Sequence, residues 1–540
     1  MAQVQQRLLA ASAFLLCAAA GYAQRFYPDD PLLADPAPLP AKQLHPRQLS
    51  EYFDFFWHTF AEPGEKQPAK GQPIPARAVN TLGEVPDGTW YTNRHCRTRM
   101  SAEALRRGPG TADGPAKDGP WRVVSAKTEG VTPGFKMQDS RGQMYLVKVD
   151  PRTNPNMATA ADVIGAKFFY ALGYNVPENY IIKFDRDRLA VDPEATFIDA
   201  QGRERHMHDR DVDDVLYNVP RDSDGQYRAV ASKYVKGKGI GPFRFFGVRR
   251  DDPNDIVPHE HRRDLRGLFV FAAWLGHNDV KSLNNIDCLV EENGVPFVRH
   301  YLIDFGAAFG SDSFTAKSPR AGNQYLFALQ PSVVQVATLG IYVPQWAKAH
   351  YRKLPEVGNF ECDMFDPERW KANYPNPAFD NRLPDDTFWA ARQVMAFRDE
   401  EVREIVETGR YSDPESVDWI THCLIVRRDK IGRTYFARVL PLDGFAVRDG
   451  QLVFEDLAVK YGFTPPRPYQ VQWSRFDNRS QVKSPIAGAR TLSLPEQVRE
   501  AQPGEYFAAD IRADDPKKTV TAYLRRGNSE IEVVGIDRTW

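Results

Sequence analysis

The stretch Gly276-His277-Asn278-Asp279-Val280-Lys281-Ser282-Leu283-Asn284, followed by Leu302-Ile303-Asp304-Phe305-Gly306, decides the reading of this chain. Lys281 follows Asp279 by two residues and Asn284 follows it by five. A second Asp, Asp304, lies a hairpin's length downstream. Residues 286–303, between the two motifs, read as two short strands around a Glu292-Asn293-Gly294 turn. Phosphoryl transfer requires one carboxylate to orient and deprotonate a hydroxyl. It also requires an amide and a second carboxylate to hold Mg²⁺ (or Mn²⁺) against phosphates. Either motif alone is common, and a hairpin with satisfied polar turns would carry neither role. Together, in this order, they define candidate residues: Asp279 and Lys281 for catalysis, Asn284 and Asp304 for metal.

The spacing of Asp279, Lys281 and Asn284 resembles that of the protein-kinase catalytic loop. Asp304-Phe305-Gly306 resembles the metal-binding triplet that follows it. The resemblance spans about residues 120–432. It implies an α+β, two-lobed protein-kinase-like fold that uses ATP and a divalent metal. Such a fold needs a Lys on a strand to pin the phosphates and an acid on the next helix to hold that Lys. Gly142-Gln-Met-Tyr-Leu-Val-Lys148-Val-Asp150 alternates as a strand, with Tyr145, Val147 and Val149 facing one way and Leu146 and Lys148 the other. Lys148 resembles the family's strand Lys. A helix follows over about 158–172, with Ile164, Phe168 and Leu172 at helical spacing and Gly173 suited to its cap. Asp162 is the one acid on that helix. It is either the partner of Lys148 or a first-turn acid favoured by the helix dipole.

Three features depart from the common family pattern. Asp162 stands where Glu is usual and is one methylene shorter. No Gly-x-Gly-x-x-Gly precedes Lys148; the turn 124–135 offers Gly130 and Gly134, and reads equally as a phosphate cradle or an ordinary hairpin. Asn278 stands where the family has Arg, so regulation through a phosphorylated activation loop is not expected. The sparse, Pro-containing loop resembles atypical kinases of the HipA and CotH type more than the eukaryotic enzymes. Residues 310–323 replace the segment that normally ends in Ala-Pro-Glu. They read as a substrate-facing loop or a solvated one.

Further order follows the same pattern. Residues 230–235 read as a strand running into a Gly-rich hinge at 236–242, and 258–275 as a long helix delivering the chain to His277. The resemblance implies that Lys148 orients the α/β-phosphates with help from Asp162, that Asn284 and Asp304 bind Mg²⁺, that Asp279 positions the acceptor hydroxyl, and that Lys281 neutralises charge on the transferring group. The acceptor is a protein or small-molecule hydroxyl. Transfer of AMP on the same fold, or a non-catalytic binding scaffold, are the competing expectations.

The 540 residues carry a formal net charge of −1, with no basic run of the kind that binds nucleic acid. Residues 1–23 read as a signal peptide: Arg7, an apolar run over 8–20 too short to span a bilayer, then Gly21-Tyr22-Ala23. A secreted or periplasmic protein with no transmembrane segment in the mature chain is expected. Cys96, Cys288, Cys362 and Cys423 would remain, with no pairing legible. His206-Met-His208 and His259-Glu-His261 lack zinc-site spacing, and the second pair reads as a surface cap of the long helix.

Four regions are expected: the signal peptide at 1–23, a Pro-rich extension at 24–119, a kinase-like domain at 120–432 (lobes about 120–236 and 237–432), and a β-rich domain at 433–540. The extension carries Leu49, Tyr52, Phe53, Phe56, Trp57 and Phe60 on an amphipathic helix expected to dock on the protein's own core, and a Gly/Pro linker at 108–120. Residues 385–397, 399–407 and 414–430 read as helices. The C-terminal strands, including 520–526 and 529–534 around Gly527-Asn528, suggest a small β-sandwich.

Overall fold

The computed structural model describes residues 24–127, 133–198, 203–328, 337, 338, 341 and 343–540. The signal-peptide region and Gly130 lie outside the described residues. Two compact units are present. One comprises residues 34–79 and 85–435; the other comprises 436–540 together with 80–84 and the described part of the N-terminal segment up to Leu33.

The larger unit begins with α1 (Glu51–Phe56), continued by a π-turn over Trp57–Ala61. This helix docks on the larger unit, but mainly by its polar side, with Trp57 of the apolar stripe half-buried against Phe246. Asp54 and His58 are buried, while Tyr52, Phe53, Phe56 and Phe60 are exposed. The reason is polar anchoring: the Tyr374 hydroxyl donates to Asp54 at 2.6 Å, and His58 stands 3.4 Å from the same carboxylate. A buried carboxylate must be satisfied, and that requirement overrides the preference of the aromatic face. The Gly/Pro stretch before the sheet is also packed and not a free linker. Residues 114–116 are buried, and Ala116 N–H donates to Asp139 at 2.9 Å.

Ten strands follow: β1 (Trp121–Ala126), β2 (Gly134–Gln138), β3 (Met144–Val149), β4 (Asn179–Phe184), β5 (Leu189–Ile198), β6 (Glu204–His206), β7 (Tyr227–Lys233), β8 (Lys238–Gly239), β9 (Asn285–Glu292) and β10 (Val295–Leu302). Seven build one sheet in the order β4-β7-β3-β2-β1-β5-β6. Its pairings are antiparallel except β1 with β5. The alternation in β3 places Tyr145, Val147 and Val149 in the apolar core with Val123, Phe135 and Phe184. Burial of each such side chain stabilises by about 1.5–3 kcal/mol. Lys148 points to the opposite face, toward α2 (Met157–Ala171).

Small residues let α2 approach closely. Ala158, Ala160, Ala161 and Ala166 are all buried, and a Cβ at Gly165 would lie 2.6 Å from Cβ of Phe305. The Asp150 carboxylate accepts the first free N–H groups of the helix, from Ala158 at 2.8 Å and Thr159 at 3.0 Å.

After β7 the chain leaves the sheet, and β8 joins the hairpin in the order β10-β9-β8. The hairpin pairs Glu292 with Val295 and Asn285 with Leu302, and Asn293 takes the left-handed conformation at its turn (φ 52°). The expected long helix is two elements: a 3₁₀ turn over His259–His261, then α3 (Arg263–Leu275), every residue of which is buried. The two histidines are not a surface cap. His259 Nε2 pairs with Asp255 at 2.8 Å, His261 Nε2 pairs with Glu65 at 2.8 Å, and both rings are buried. The helices α4 (Pro384–Met395), α5 (Asp399–Glu407) and α6 (Pro414–Phe436) complete this part of the chain. Arg263 and Arg266 of α3 reach Asp386 of α4 at 3.0 and 3.2 Å.

The second unit packs two sheets, of two and five strands, on one core. A hairpin of β11 (Leu442–Arg448) and β12 (Gln451–Asp456) accompanies one five-stranded antiparallel sheet. That sheet is built of β13 (Gln470–Phe476), β14 (Lys483–Pro485), β15 (Tyr506–Arg512), β16 (Thr519–Arg526) and β17 (Ile531–Arg538), in the order β14-β13-β15-β16-β17. Trp473, Phe507, Ile511 and Leu524 form its core with Leu442 and Leu452 of the hairpin. Phe26, from the N-terminal segment, packs on Phe476 and Tyr523. Among the described residues of either unit, no helix is long and apolar enough to cross a membrane.

Candidate active site

Three elements converge on Lys148. β3 carries it; α2 presents Asp162, whose Oδ2 lies 2.8 Å from Lys148 Nζ; the end of β10 delivers Asp304, whose Oδ1 lies 2.9 Å away. The short Asp side chain spans the distance from α2 to Lys148. Asp162 is fully committed. Its Oδ1 accepts the backbone N–H of Phe305 at 2.9 Å, and the side-chain amide of Asn179 donates to its carbonyl at 3.0 Å. The Phe305 ring stacks on Phe169 with centroids 5.0 Å apart. Asp162 therefore fixes both the Lys and the Asp-Phe-Gly backbone.

Lys148 and Asp162 are buried, whereas the Asp304 side chain keeps 41 % of its surface. Burial opposes charge at all three groups. At Lys148 the two carboxylates outweigh it and hold the ammonium above its ordinary range. At Asp304 burial is outweighed chiefly by Lys148, and the carboxyl sits low, at about 2. Asp162, deeper and close to Asp304, is raised by burial. Asp304 also holds a left-handed backbone (φ 61°), a conformation that costs energy for a non-glycine residue.

The catalytic-loop candidates lie at the same end of the hairpin. The β9–β10 ladder closes at Asn285–Leu302, and Ile303 N–H donates to the Asn284 carbonyl at 3.0 Å. Asn284 and Asp304 therefore leave neighbouring strand ends. The Asn284 amide donates to Asp279 Oδ2 at 2.8 Å, and the Asn373 amide donates to Asp279 Oδ1 at 2.9 Å. Asn278 in turn donates to the Asn373 side chain. Both oxygens of Asp279 are thus oriented by neutral donors. Lys281 Nζ lies 3.4 Å from Asp279 and also donates to Glu51 of α1. Despite burial, these acids hold Lys281 above its ordinary range.

A hard divalent cation fits this donor chemistry. An amide oxygen at Asn284, with its NH₂ turned to Asp279, and a partly open carboxylate at Asp304 are oxygen ligands of the kind Mg²⁺ and Mn²⁺ take alongside phosphate oxygens. Among the described residues no three His, Cys, Asp or Glu side chains converge on a metal site. Protein ligands here would be the carboxylate–amide pair.

Gly134 is the first residue of β2, at the end of the turn, whose residues 128–132 lie outside the described ones. It lies in β2 opposite Lys148, and a Cβ there would fall 2.0 Å from the Val147 carbonyl oxygen. Its glycine is required by strand approach. Gly130 lies outside the described residues.

Five residues with parts in this site escaped the sequence reading: Asp150, Asn179, Asn373, Glu51 and Lys317. None sits within a recognisable motif. Lys317 shows that the 310–323 segment is not simply solvated. It is buried, and its ammonium donates to the carbonyls of Gly276 and Ala307 at 2.5 and 2.7 Å, tying that segment to both motifs. Burial pushes its pKa down to about 7. An ammonium titrating lower in the folded than in the unfolded chain makes stability rise with pH between the two values. Stability should therefore increase from about pH 7 to pH 10, by up to about 4 kcal/mol. Lys317→Met should flatten that slope in urea unfolding across the same range, and an unchanged slope would refute the assignment.

The elements, in this order, with Lys148 set between Asp162 and Asp304, define a protein-kinase-like α+β fold. Among solved structures, the chain is similar over 60 % of its length to a proinflammatory kinase of Helicobacter pylori, CtkA, of which 95 % is covered, at 11 % identity and a TM-score of 0.32. It is also similar to the Golgi casein kinase with Mn/ADP bound (60 % of this chain, 73 % of that one, 9 % identity, TM-score 0.29) and to a second structure of the Golgi casein kinase (59 %, 74 %, 9 %, 0.28). No family model matches the sequence, and no curated protein matches it.

Proposed function

We propose that this chain is an ATP- and divalent-metal-dependent phosphotransferase, an atypical kinase of HipA/CotH-like character. It acts on a hydroxyl acceptor outside the cytoplasm, after loss of the N-terminal signal sequence. The single observation that carries this reading is the placement of one buried ammonium, Lys148, between a fully buried acid and a partly exposed one, at 2.8 and 2.9 Å. A purely structural ion pair needs one partner. The second, Asp304, is held ionised and open, as a metal ligand must be.

The chain's own groups then divide the work. Lys148 binds the α/β-phosphates, with Asp162 holding its Nζ in place. Asn284 and Asp304 would hold the cation, which supplies charge neutralisation to the phosphates when bound. Asp279, with both oxygens oriented by Asn284 and Asn373, accepts the acceptor hydroxyl's proton. Lys281, adjacent to Asp279, offsets negative charge on the phosphoryl group in transit.

The test is incubation of the mature chain with ATP, Mn²⁺ and a panel of protein and sugar hydroxyl acceptors, read by mass spectrometry. A mass gain of one phosphoryl group, lost in Asp279→Asn, is the expected result. A gain of one AMP would replace this reading with nucleotide transfer. No gain, and no thermal shift with any purine nucleotide, would leave a binding scaffold and overturn the proposal.

A further inference from the structure

Cys362 and Cys423 meet inside the larger unit. Their Sγ atoms are 2.7 Å apart and both residues are fully buried. The two come from elements 61 residues apart in sequence. Cys362 lies on the irregular segment 354–367, and Cys423 lies on α6, one turn past Trp419. α6 grips that segment along its length. Trp419 Nε1 donates to the Phe360 carbonyl at 2.9 Å, Lys430 donates to the Cys362 and Asp363 carbonyls at 2.8 and 2.6 Å, and the Tyr435 hydroxyl donates to the Pro367 carbonyl at 3.0 Å. The Arg427 guanidinium lies over Phe360 and Phe365 and donates to the Ala273 and Trp274 carbonyls, at the end of α3.

The segment so gripped holds the loop after Asp304. Asn359 N–H donates to the Gly310 carbonyl at 3.1 Å, and its side chain donates to the Lys317 carbonyl at 2.6 Å. Lys317 is the residue that ties the same loop to Gly276 and Ala307. A continuous set of contacts therefore runs from the cysteine pair to both catalytic motifs.

We infer that Cys362 and Cys423 form a disulfide that clamps the post-Asp304 segment to α6. The bond needs the sulfurs to close by roughly 0.7 Å, to about 2.05 Å. The reaction is thiol–disulfide exchange with a small-molecule or protein disulfide. The thiolate of one cysteine attacks the oxidant to give a mixed disulfide and release one thiol. The other cysteine then displaces the second thiol, so two cysteine thiols are oxidised and one disulfide is reduced to two thiols. Burial of both sulfurs means that exchange occurs before the unit closes and that the finished bond is shielded from reductant.

The test uses the full chain refolded in a glutathione/glutathione-disulfide buffer, then denatured, alkylated without reduction and digested. The expected result is one cross-linked peptide pair joining Cys362 to Cys423, two hydrogens lighter than the reduced pair, with Cys96 and Cys288 alkylated. Alkylation of both Cys362 and Cys423, or a cross-link from either to Cys96 or Cys288, would overturn the inference. As a second measurement on the wild-type chain, reduction under unfolding conditions and refolding with reductant should lower the thermal midpoint by several degrees. It should also speed amide exchange in 310–317 and 354–365. Equal midpoints and equal exchange would remove the clamp even if the bond forms. The Cys362→Ala/Cys423→Ala variant should match the reduced wild type and ignore oxidant.

Discussion

Asp304→Asn is expected to cost on the order of a thousand-fold in phosphoryl transfer and to abolish the thermal shift produced by ATP with Mn²⁺, with a smaller loss of stability in the unliganded chain than Asp162→Ala brings. Three features separate these effects. The Asp304 side chain is 41 % exposed, so its loss leaves no deep cavity. Lys148 keeps Asp162 at 2.8 Å, so no buried ammonium is stranded. Asn tolerates the left-handed backbone that Asp304 holds (φ 61°), which Ala would not relieve. What the substitution removes is the anionic oxygen that burial opposes and Lys148 sustains. Transfer assays and thermal shift on the same preparation check this. Retention of both the shift and the activity would mean that Asp304 holds no metal.

The contrast between what the sequence revealed and what it hid has a physical basis. Lys148 and Asp162 were legible because they sit on a strand and a helix, and Asp279, Asn284 and Asp304 because they flank a helix and a hairpin at a spacing with chemical meaning. β3 alternates, α2 repeats at helical period, and the hairpin between the two motifs has a turn that only certain residues accept. The residues that orient them were not legible. Asn373 reaches Asp279 from 94 positions away, Asn179 reaches Asp162 from β4, and Lys317 reaches two carbonyls from a loop that reads as solvated. A single polar side chain, in an irregular segment or at the start of a strand, carries no periodicity, so pairing across the fold is invisible in one sequence.

The helix α1 failed for a different reason. Its apolar stripe is real, but Tyr374 and the catalytic loop offer polar partners to Asp54 and Glu51. Satisfying those groups decides which face turns inward. Gly134 shows the converse: its glycine was visible, but the cause was the 2.0 Å approach of a neighbouring strand's carbonyl. Glycine in a sequence marks a constraint without saying whether a ligand or a backbone imposes it.

Asp162→Ala should produce the largest loss of stability of any single change at the site, about 3–5 kcal/mol. The cost is not the ion pair alone. Removing this carboxylate leaves Lys148 buried with only the half-exposed Asp304 as counter-charge, and it strips the acceptor from the Phe305 N–H, 2.9 Å away. The Asn179 amide loses a contact as well. An unpaired buried donor costs its full desolvation penalty, so the terms reinforce one another. Asp162→Glu restores the acid usual in protein kinases, yet it should still destabilise the chain, by about 1–3 kcal/mol. The added methylene must enter a space where α2 already meets Phe305 without room for a Cβ at Gly165. Denaturant unfolding followed by the near-ultraviolet signal of the larger unit ranks the three chains: wild type, then Glu, then Ala. An Ala variant within 1 kcal/mol of wild type would show that Lys148 finds its charge balance elsewhere. A Glu variant as stable as wild type would show that α2 can shift away from Phe305, and that their tight contact at Gly165 does not fix the place of the acid.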